Sequence, residues 1–215
     1  MTVELVDVSK TIHHIQVLKN VSFKFENHQI YGLTGRNGSG KTMLIRAIAG
    51  LLVPTSGKVI VDNQTLHDKI DFPPDIGITI ENTSFPNDLS GLENLLALSK
   101  IKKIATINDI KDAFHDVGLS EENWNTKVAH YSLGMRQKLS IAQAIFEKPK
   151  LLLLDEPTNG LDEESTWILR KSLKKMSDGG TTIIIASHDK DDINLLSNVI
   201  LRISNGQIVD KVMPD

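Results

Sequence analysis

A glycine-rich run between residues 35 and 42 has the composition of a phosphate-binding loop. Glycines occupy positions 35, 38 and 40, and the run ends in Lys41 and Thr42. It follows an apolar run that we predict to be a strand and opens a predicted helix, which is the context this pattern requires. In such a loop the backbone N–H groups turn toward an anion, and the helix N-terminus adds partial positive charge. We therefore expect the loop to bind a nucleoside triphosphate.

The pattern assigns a role to each residue of this loop. Lys41 is expected to place its charge on the β and γ phosphates and to act in catalysis, and the Thr42 hydroxyl is expected to bind Mg²⁺. The other predicted phosphate contacts come from the loop and the end of its strand: Thr34, Gly35, Asn37, Gly38, Ser39 and Gly40.

Four leucines followed by two carboxylates form the second candidate. By itself, an apolar run that ends in Asp155 and Glu156 is usually a buried strand with a solvated acidic end. Behind a phosphate-binding loop, however, a neighbouring strand must deliver an acid to the metal. Asp155 is therefore predicted to bind Mg²⁺, directly or through water, and Glu156 to orient or deprotonate the attacking water. This pair predicts hydrolysis rather than nucleotide binding alone.

Short apolar strands alternating with helical patterns are predicted to position these residues. The strand-like runs lie at residues 29–34, 151–154, 183–185 and 199–203. Bounded apolar runs of this kind are typical of a parallel sheet covered by helices on both faces. Residues 90–147 instead show helical spacing throughout. The sequence therefore predicts an α/β core interrupted by a helical lobe.

Three further segments complete a resemblance to a known family. Residues 131–137, 159–162 and 187–189 follow the loop in that order, and they resemble the signature, the D loop and the switch-histidine segment of ATP-binding-cassette (ABC) transporter subunits. Each segment alone is weak, since a lone histidine at a strand end is usually a surface residue. Their order and context together make the resemblance specific, and it spans essentially the whole chain.

The resemblance implies a fold and a division of the chain. The implied fold is a P-loop NTPase core, with a mostly parallel sheet and an N-terminal antiparallel β part, plus an inserted helical lobe. Residues 1–215 would form a single nucleotide-binding domain. Its core lobe would comprise about 1–81 and 148–215, and its helical lobe about 82–147.

The resemblance also implies that each site is shared between two copies. A helical stripe begins just after Ser132, so N–H groups and a helix dipole point outward there and attract anions. In the resembling family this tip binds the γ phosphate held by the opposite subunit. Ser132 and Gly134 would therefore act in trans in an ATP-sandwich homodimer. His188 would contact the γ phosphate in cis as a catalytic residue, and Asp162 would lie at the interface.

Two positions depart from the family's usual pattern near the phosphates. Leu133 stands where the signature has the first of two adjacent glycines, and this form resembles the branch that exports bacitracin-like and lantibiotic-like peptides or gives self-immunity to them. Glu81 stands where a glutamine is usual, again as in that branch. We expect Glu81 to approach Mg²⁺, directly or through water, while the alternative is a solvated loop acid.

The base-binding position is a third departure. The family usually stacks adenine on an aromatic ring near the end of the first strand, whereas Ile12 stands there in this sequence. We predict that Ile12, His13 and Val17 contact the base, with less stacking than a tyrosine would give. The alternative is that His13 is simply solvated. Both ATP and GTP therefore remain open, with ATP as the prediction.

The composition constrains the partners. The formal net charge of −3 provides no basic field for nucleic acid, so no nucleic-acid partner is expected. The longest apolar runs are far shorter than the ~20 residues of a membrane-spanning helix. We therefore expect a cytoplasmic subunit, peripheral on the inner face of the cell membrane, that drives separate transmembrane permease subunits. The sequence does not encode the transported compound or the direction of transport.

Three other functions remain as alternatives. A soluble ABC ATPase acting on DNA or the ribosome would be expected to carry a coiled coil, a second cassette or basic extensions. A nucleotide-gated regulatory module that hardly hydrolyses would be expected to lack the carboxylate at Glu156. A P-loop kinase would not need the signature segment together with His188.

Overall fold

The computed structural model describes residues 1–80 and 83–214, and it consists of two sheets, the helices that cover them and a helical insertion. The strands are β1 (Val3–Ile12), β2 (Ile15–Phe25), β3 (Ile30–Thr34), β4 (Ser56–Val61), β5 (Gln64–Thr65), β6 (Ile76–Thr79), β7 (Leu151–Asp155), β8 (Thr182–Ala186), β9 (Val199–Ser204) and β10 (Gln207–Val212). The helices are α1 (Lys41–Ile48), α2 (Gly91–Lys102), α3 (Ile107–Asp116), α4 (Leu133–Ile145), α5 (Glu163–Asp178) and α6 (Lys190–Leu196). Two short 3₁₀ helices, Glu121–Asn123 and Val128–His130, precede α4.

The larger sheet carries the predicted chemistry. Its strand order is β10-β9-β3-β8-β7-β6, and all neighbouring pairs are parallel except the β9–β10 hairpin. The central strands β3, β7 and β8 are mostly apolar and buried along nearly their whole length, because helices cover both faces. Asp155 pairs with Ala186, so β7 and β8 end at the same edge, beside the end of β3. The register therefore brings the residues that follow β3, β7 and β8 close together at one edge of the sheet.

The N-terminal sheet is antiparallel. Its order is β2-β1-β4-β5, and β1 and β2 form a hairpin closed by His13 and His14. Both histidines have positive φ, as the central residues of a type I′ turn require. The strand β1 extends to Ile12 and β2 starts at Ile15, so both are longer than the apolar runs indicate. In this part the hairpin twist and pairing extend the strands through polar residues.

The helical insertion lies between two strands that are neighbours in the sheet, β6 and β7. Both α2 and α3 start with a capping box, formed by Ser90 with Glu93 and by Thr106 with Asp109. The predicted α/β class, with a mostly parallel sheet, an antiparallel N-terminal part and inserted helices, is confirmed. Apolar residues of the insertion and of the sheet belong to one buried cluster. The division into lobes at about residues 81 and 148 stays a prediction.

The helices of the described residues are all unsuited to crossing a bilayer, since none of them is both long and apolar enough.

Candidate functional site

A cleft of about 590 Å³ lies at the edge of the large sheet where β3, β7 and α1 meet. Residues 37–43 of the glycine-rich loop line one side of it, and Asp155 and Glu156 line the other. Val17, Gln137 and Asn159 complete the lining. The structure thus brings the predicted loop and the predicted acid pair to one cavity. Gly35 lines an adjacent pocket on the far side of the loop, and Thr34 ends β3 just before it.

The loop's backbone needs glycine at two positions for different reasons. Gly35 has φ of 153°, and a Cβ there would lie 2.2 Å from the carbonyl oxygen of Ile203. Gly40 has φ of 111° and caps α1, so no side chain accepts from the N–H groups of the first helical turn. These donors and the positive end of the helix dipole are available to a ligand anion.

Two polar side chains of the loop are buried in a way that fits a phosphate. Lys41 is 6% exposed, and its Nζ donates a hydrogen bond to the Gly35 carbonyl oxygen at 2.8 Å. The Ser39 hydroxyl oxygen is buried and has no hydrogen-bond partner among the described residues. A buried hydroxyl left in this state costs about 1–3 kcal/mol. A phosphate oxygen in the cleft would satisfy Ser39 and provide a counter-charge for Lys41.

The Thr42 hydroxyl donates to Asp155 Oδ2 at 2.6 Å, which joins α1 to the end of β7. A hydroxyl and a carboxylate are ligands of the kind that Mg²⁺ takes from proteins that bind nucleotide phosphates. Among residues 1–80 and 83–214, no cluster of three or more His, Cys, Asp or Glu side chains is placed to hold a metal by itself. The donor set therefore fits a Mg²⁺ ion that takes its remaining ligands from phosphate and water.

Glu156 and His188 meet across the cleft edge. Glu156 has a positive φ of 50°, and its N–H donates to the Ala186 carbonyl at 2.8 Å. Its Oε2 accepts from His188 Nδ1 at 2.8 Å and from the His188 N–H at 3.3 Å. An ionised carboxylate can only accept, so His188 Nδ1 carries a proton in this contact. A non-glycine residue in the left-handed region is uncommon and is concentrated at functional sites.

Gln137 is a cleft residue that the sequence analysis did not single out. Its Nε2 donates to the Glu156 carbonyl at 3.3 Å and to the Pro157 carbonyl at 3.0 Å. Gln137 therefore braces the turn that presents Glu156. The available signal was its position in the signature-like segment, one turn after the helix start. Asn159, which also lines the cleft, belongs to the D-loop-like segment.

The trans residues of the sequence prediction lie apart from the cleft lining of their own chain. Ser132 caps α4 and accepts from the Met135 N–H at 3.2 Å. Gly134 lies against the D-loop-like segment, since a Cβ on it would be 2.8 Å from the Gly160 carbonyl oxygen. Leu133, the departure from the family's pattern, is 70% exposed. These residues form one outward-facing tip, which is compatible with contact to another molecule.

Asp162 is held in place at the start of α5. Its carboxylate accepts from the Ser165 N–H at 2.7 Å. Hydrogen bonds from the Ser165 side chain and backbone hold the pKa of Asp162 below its usual value. Asp162 is therefore ionised and exposed near the outward-facing tip.

Only one of the three residues predicted to contact the base lines the cleft. Val17 lines the cleft, whereas Ile12 and His13 are not among the residues that line it. His13 is exposed at the tip of the β1–β2 hairpin. The predicted metal ligand Glu81 lies outside the described residues.

Comparisons with known proteins find relatives along nearly the whole chain. The profile of the ABC transporter family matches residues 18–159. The chain is 48% identical over 207 residues to YybJ of Bacillus subtilis (strain 168), an uncharacterized ABC transporter ATP-binding protein, and this match covers 96% of the chain and 94% of YybJ. It is 35% identical over 212 residues to the bacitracin transport ATP-binding protein BcrA of Enterococcus faecalis, which covers 98% of the chain and 68% of BcrA. The dimeric structure of MJ0796, a bacterial ABC transporter cassette, is similar with a TM-score of 0.89 over 99% of each chain at 25% identity.

Proposed function

The chain belongs to the ABC transporter family as an ATP-hydrolysing subunit, and on this premise we propose that paired copies drive separate membrane subunits. The observation that carries the proposal is the placement of two half-sites on one chain. The cleft holds the phosphate loop, Asp155 and Glu156, while the tip at Ser132 lies outside it. Two copies arranged head-to-tail would bring each tip over the other copy's cleft.

The cleft residues divide the work of binding. No side chain of the described residues accepts from the N–H groups at the start of α1, and the Ser39 hydroxyl has no partner among those residues. These groups donate to phosphate oxygens. Lys41 shifts its Nζ from the Gly35 carbonyl to the β and γ phosphates. The movement is short because Gly35 belongs to the same loop that binds the phosphates. Val17 contacts the base at the open end of the cleft, with Ile12 and His13 as the further contacts that the sequence suggests.

Magnesium is part of the proposal through Thr42 and Asp155. When bound, Mg²⁺ supplies positive charge at the β and γ phosphate oxygens. Thr42 and Asp155 would hold the ion, and their 2.6 Å hydrogen bond fixes both side chains in advance. Glu81 is proposed as a further ligand from the sequence alone.

Glu156 is proposed as the general base. Its carboxylate lies at the cleft wall. There it either takes the proton of the attacking water or orients that water. His188 holds the carboxylate through Nδ1 and leaves its Nε2 side exposed, since the ring is 59% exposed. That exposed side is the part of His188 that can reach a γ phosphate. Gln137 fixes the backbone of the same turn.

The tip at Ser132 is proposed to complete the neighbouring copy's site. The N–H groups after Ser132 point out of the chain at the positive end of α4. Gly134 packs directly on Gly160 of the same chain, so the signature-like and D-loop-like segments form one continuous surface on each copy. Asp162, ionised at the adjacent helix start, is proposed to lie at this interface.

A groove between residues 83–87 and α4 is proposed to receive the membrane subunit. It has a volume of about 350 Å³ and is lined by residues 83–85, Asn87, Leu133, Arg136, Gln137 and Ser140. Gln137 and Leu133 connect this groove to the cleft and to the tip, respectively. A membrane subunit that binds in the groove would therefore act on both half-sites. With its partner bound in this groove, the chain is proposed to lie on the inner face of the cell membrane.

The transported compound is proposed to be a peptide antibiotic, exported or excluded for self-immunity. Two features support this: the Ser132-Leu133-Gly134-Met135 form of the signature and the 35% identity to a bacitracin transport protein. Purification of the chain from membranes, together with the membrane chain that accompanies it, would identify the permease. Export of a labelled bacitracin-like peptide from vesicles would then test the substrate class.

Solution mass tests the pairing. With a slowly hydrolysed ATP analogue and Mg²⁺, light scattering should show the mass of the chain doubling. Ser132→Arg should abolish the doubling while analogue binding to the single chain remains, because the substitution blocks the tip and leaves the cleft unchanged. Ser120→Arg, on an exposed serine elsewhere in the insertion, is the control and should leave the doubling intact. Doubling that survives Ser132→Arg would refute the shared site.

A further inference from the structure

An ion pair between a partly exposed arginine and a buried carboxylate joins α5 to α6 just behind His188. Arg170 of α5 donates from Nε to Asp192 Oδ1 at 2.9 Å, and its Nη2 donates to the same oxygen. Asp192 is 3% exposed, so this carboxylate has exchanged nearly all of its water for the guanidinium. The mechanism described above makes no use of either residue.

Asp192 lies in the segment that carries His188. It follows His188 by four residues and belongs to the first turn of α6. Asp189 caps this helix and accepts from the Asp191 N–H at 2.8 Å and the Asp192 N–H at 3.3 Å. The Asp189 N–H in turn donates to Ser187 Oγ at 3.0 Å. The turn that presents His188 and the first turn of α6 are therefore one hydrogen-bonded unit. The position of α6 decides the position of His188.

Two contacts fix α6 on the domain. One is β3, where a Cβ on Gly32 would come within 2.5 Å of Ile193, so the helix packs directly on the strand backbone. This apolar contact sets the distance of α6 from the sheet. The other is Arg170, which reaches Asp192 from the side and sets the rotation and sliding of the helix. Hydrogen bonds are directional, whereas apolar packing tolerates small shifts.

The energetics favour a geometric role over a stabilising one. A buried ion pair can be replaced by apolar residues of similar volume at little or no cost in stability, while removal of a single partner is strongly destabilising. The contribution of the Arg170–Asp192 pair is therefore the position in which it holds α6. The contact it serves is the 2.8 Å hydrogen bond between His188 Nδ1 and Glu156 Oε2.

We propose that Arg170 and Asp192 form a positioning pair that holds His188 within hydrogen-bonding reach of Glu156. The proposal rests on the proposed function, since it gives the His188–Glu156 contact its role in hydrolysis. Asp162 caps α5 about 12 Å before Arg170, at 1.5 Å per residue, so the pair also ties His188 to the helix expected at the dimer interface.

The decisive variant replaces both charges with leucine, Arg170→Leu with Asp192→Leu. It should unfold in urea at nearly the parent's midpoint, because no unpaired charge is left buried. Its kcat for ATP should fall about tenfold with KM unchanged, the lower end of the effect of removing outer contacts at metal sites. Asp192→Asn keeps the acceptor for Arg170 and should keep kcat close to the parent. Lys102→Leu with Glu147→Leu, a pair in the insertion, is the matched control and should change neither quantity.

Two further readouts separate positioning from stability. In nucleotide-free protein, the imidazole NMR signals of His188, assigned by their loss in His188→Ala, should shift in the leucine pair because the Nδ1 hydrogen bond is lost. In the His188→Ala background, the leucine pair should cause no additional loss of kcat, because the group being positioned is already absent.

The proposal is wrong if the stable leucine pair keeps both the parent's kcat and the parent's His188 signals, or if its loss of kcat is undiminished in the His188→Ala background. Should the leucine pair not fold, Arg170→Lys, which keeps the charge with a single nitrogen, takes its place under the same criteria. A parent chain that does not hydrolyse ATP would contradict the proposed function instead. The His188 signals would still test the positioning pair in that case.

Discussion

Replacement of Glu156 by glutamine isolates the chemical role of its carboxylate. Glutamine has nearly the same shape, and its oxygen can still accept from His188 Nδ1, which lies 2.8 Å from the present Oε2. The amide cannot take a proton from water. General-base catalysis contributes about 10²–10⁴-fold to rate. At 1.36 kcal/mol for each factor of ten, Glu156→Gln should raise the barrier by about 2.7–5.4 kcal/mol.

Binding and folding should be nearly unchanged in this variant. The turn at Glu156 is held through backbone atoms, by the 2.8 Å bond to Ala186 and by Gln137, and none of these atoms is altered. The free energy of unfolding should therefore stay within about 0.5 kcal/mol of the parent. The Kd for ATP should change by no more than about twofold, which is the same energy expressed as affinity.

The assay is phosphate release under saturating ATP and Mg²⁺, beside nucleotide binding and urea unfolding on the same preparation. Glu147→Gln is the matched control, because Glu147 is an acid in an ion pair with Lys102 and lies outside the cleft lining. A kcat in Glu156→Gln that stays within tenfold of the parent would refute Glu156 as the general base. Lost ATP binding with a normal fold would make it a binding group instead.

Three more outcomes follow from the geometry. Thr42→Val should raise the Mg²⁺ concentration for half-maximal hydrolysis by about tenfold, because the hydroxyl that meets Asp155 at 2.6 Å is lost. Gly35→Ala should lower the free energy of unfolding by about 1–3 kcal/mol in urea, because its φ of 153° and a backbone oxygen 2.2 Å from the new Cβ impose strain. Asp109→Asn should flatten the acid limb of stability against pH. The hydrogen bond from Lys148 holds the pKa of Asp109 well below its usual range, so the stabilisation is present above pH ~4 and is lost as the pH falls further.

Each of these expectations has a result that contradicts it. An unchanged Mg²⁺ titration in Thr42→Val would remove the hydroxyl from the metal site, and Thr42→Ser is the control that should behave as the parent. An unchanged urea midpoint in Gly35→Ala would mean that the loop relaxes. Gly38→Ala is the comparison that isolates the clash, because Gly38 also has a positive φ, of 75°, but its Cβ would meet nothing within 4 Å. Parallel pH curves for Asp109→Asn and the parent would show that the carboxylate is not linked to folding.

Local signals in the sequence were sufficient for the fold class and for the two halves of the cleft. The glycines of residues 35–40 and the helix that follows them are specified within a dozen positions, because a phosphate-binding turn needs backbone freedom at set places. The run of leucines before Asp155 identified a buried parallel strand by its composition. The length of the strands in the β1–β2 hairpin is set by pairing rather than by apolar content, since pairing extends β1 to Ile12.

The sequence determined which groups this protein brings to the nucleotide, and tertiary structure decided which of them touch. Thr42 meets Asp155 across 113 positions, and Glu156 meets His188 across 32, because parallel strands end in register at one edge of the sheet. The brace from Gln137 depends on where α4 packs and not on any local pattern. Residue type and spacing are encoded along the chain, but hydrogen bonds between distant residues depend on strand order and helix packing, which periodicity alone does not specify.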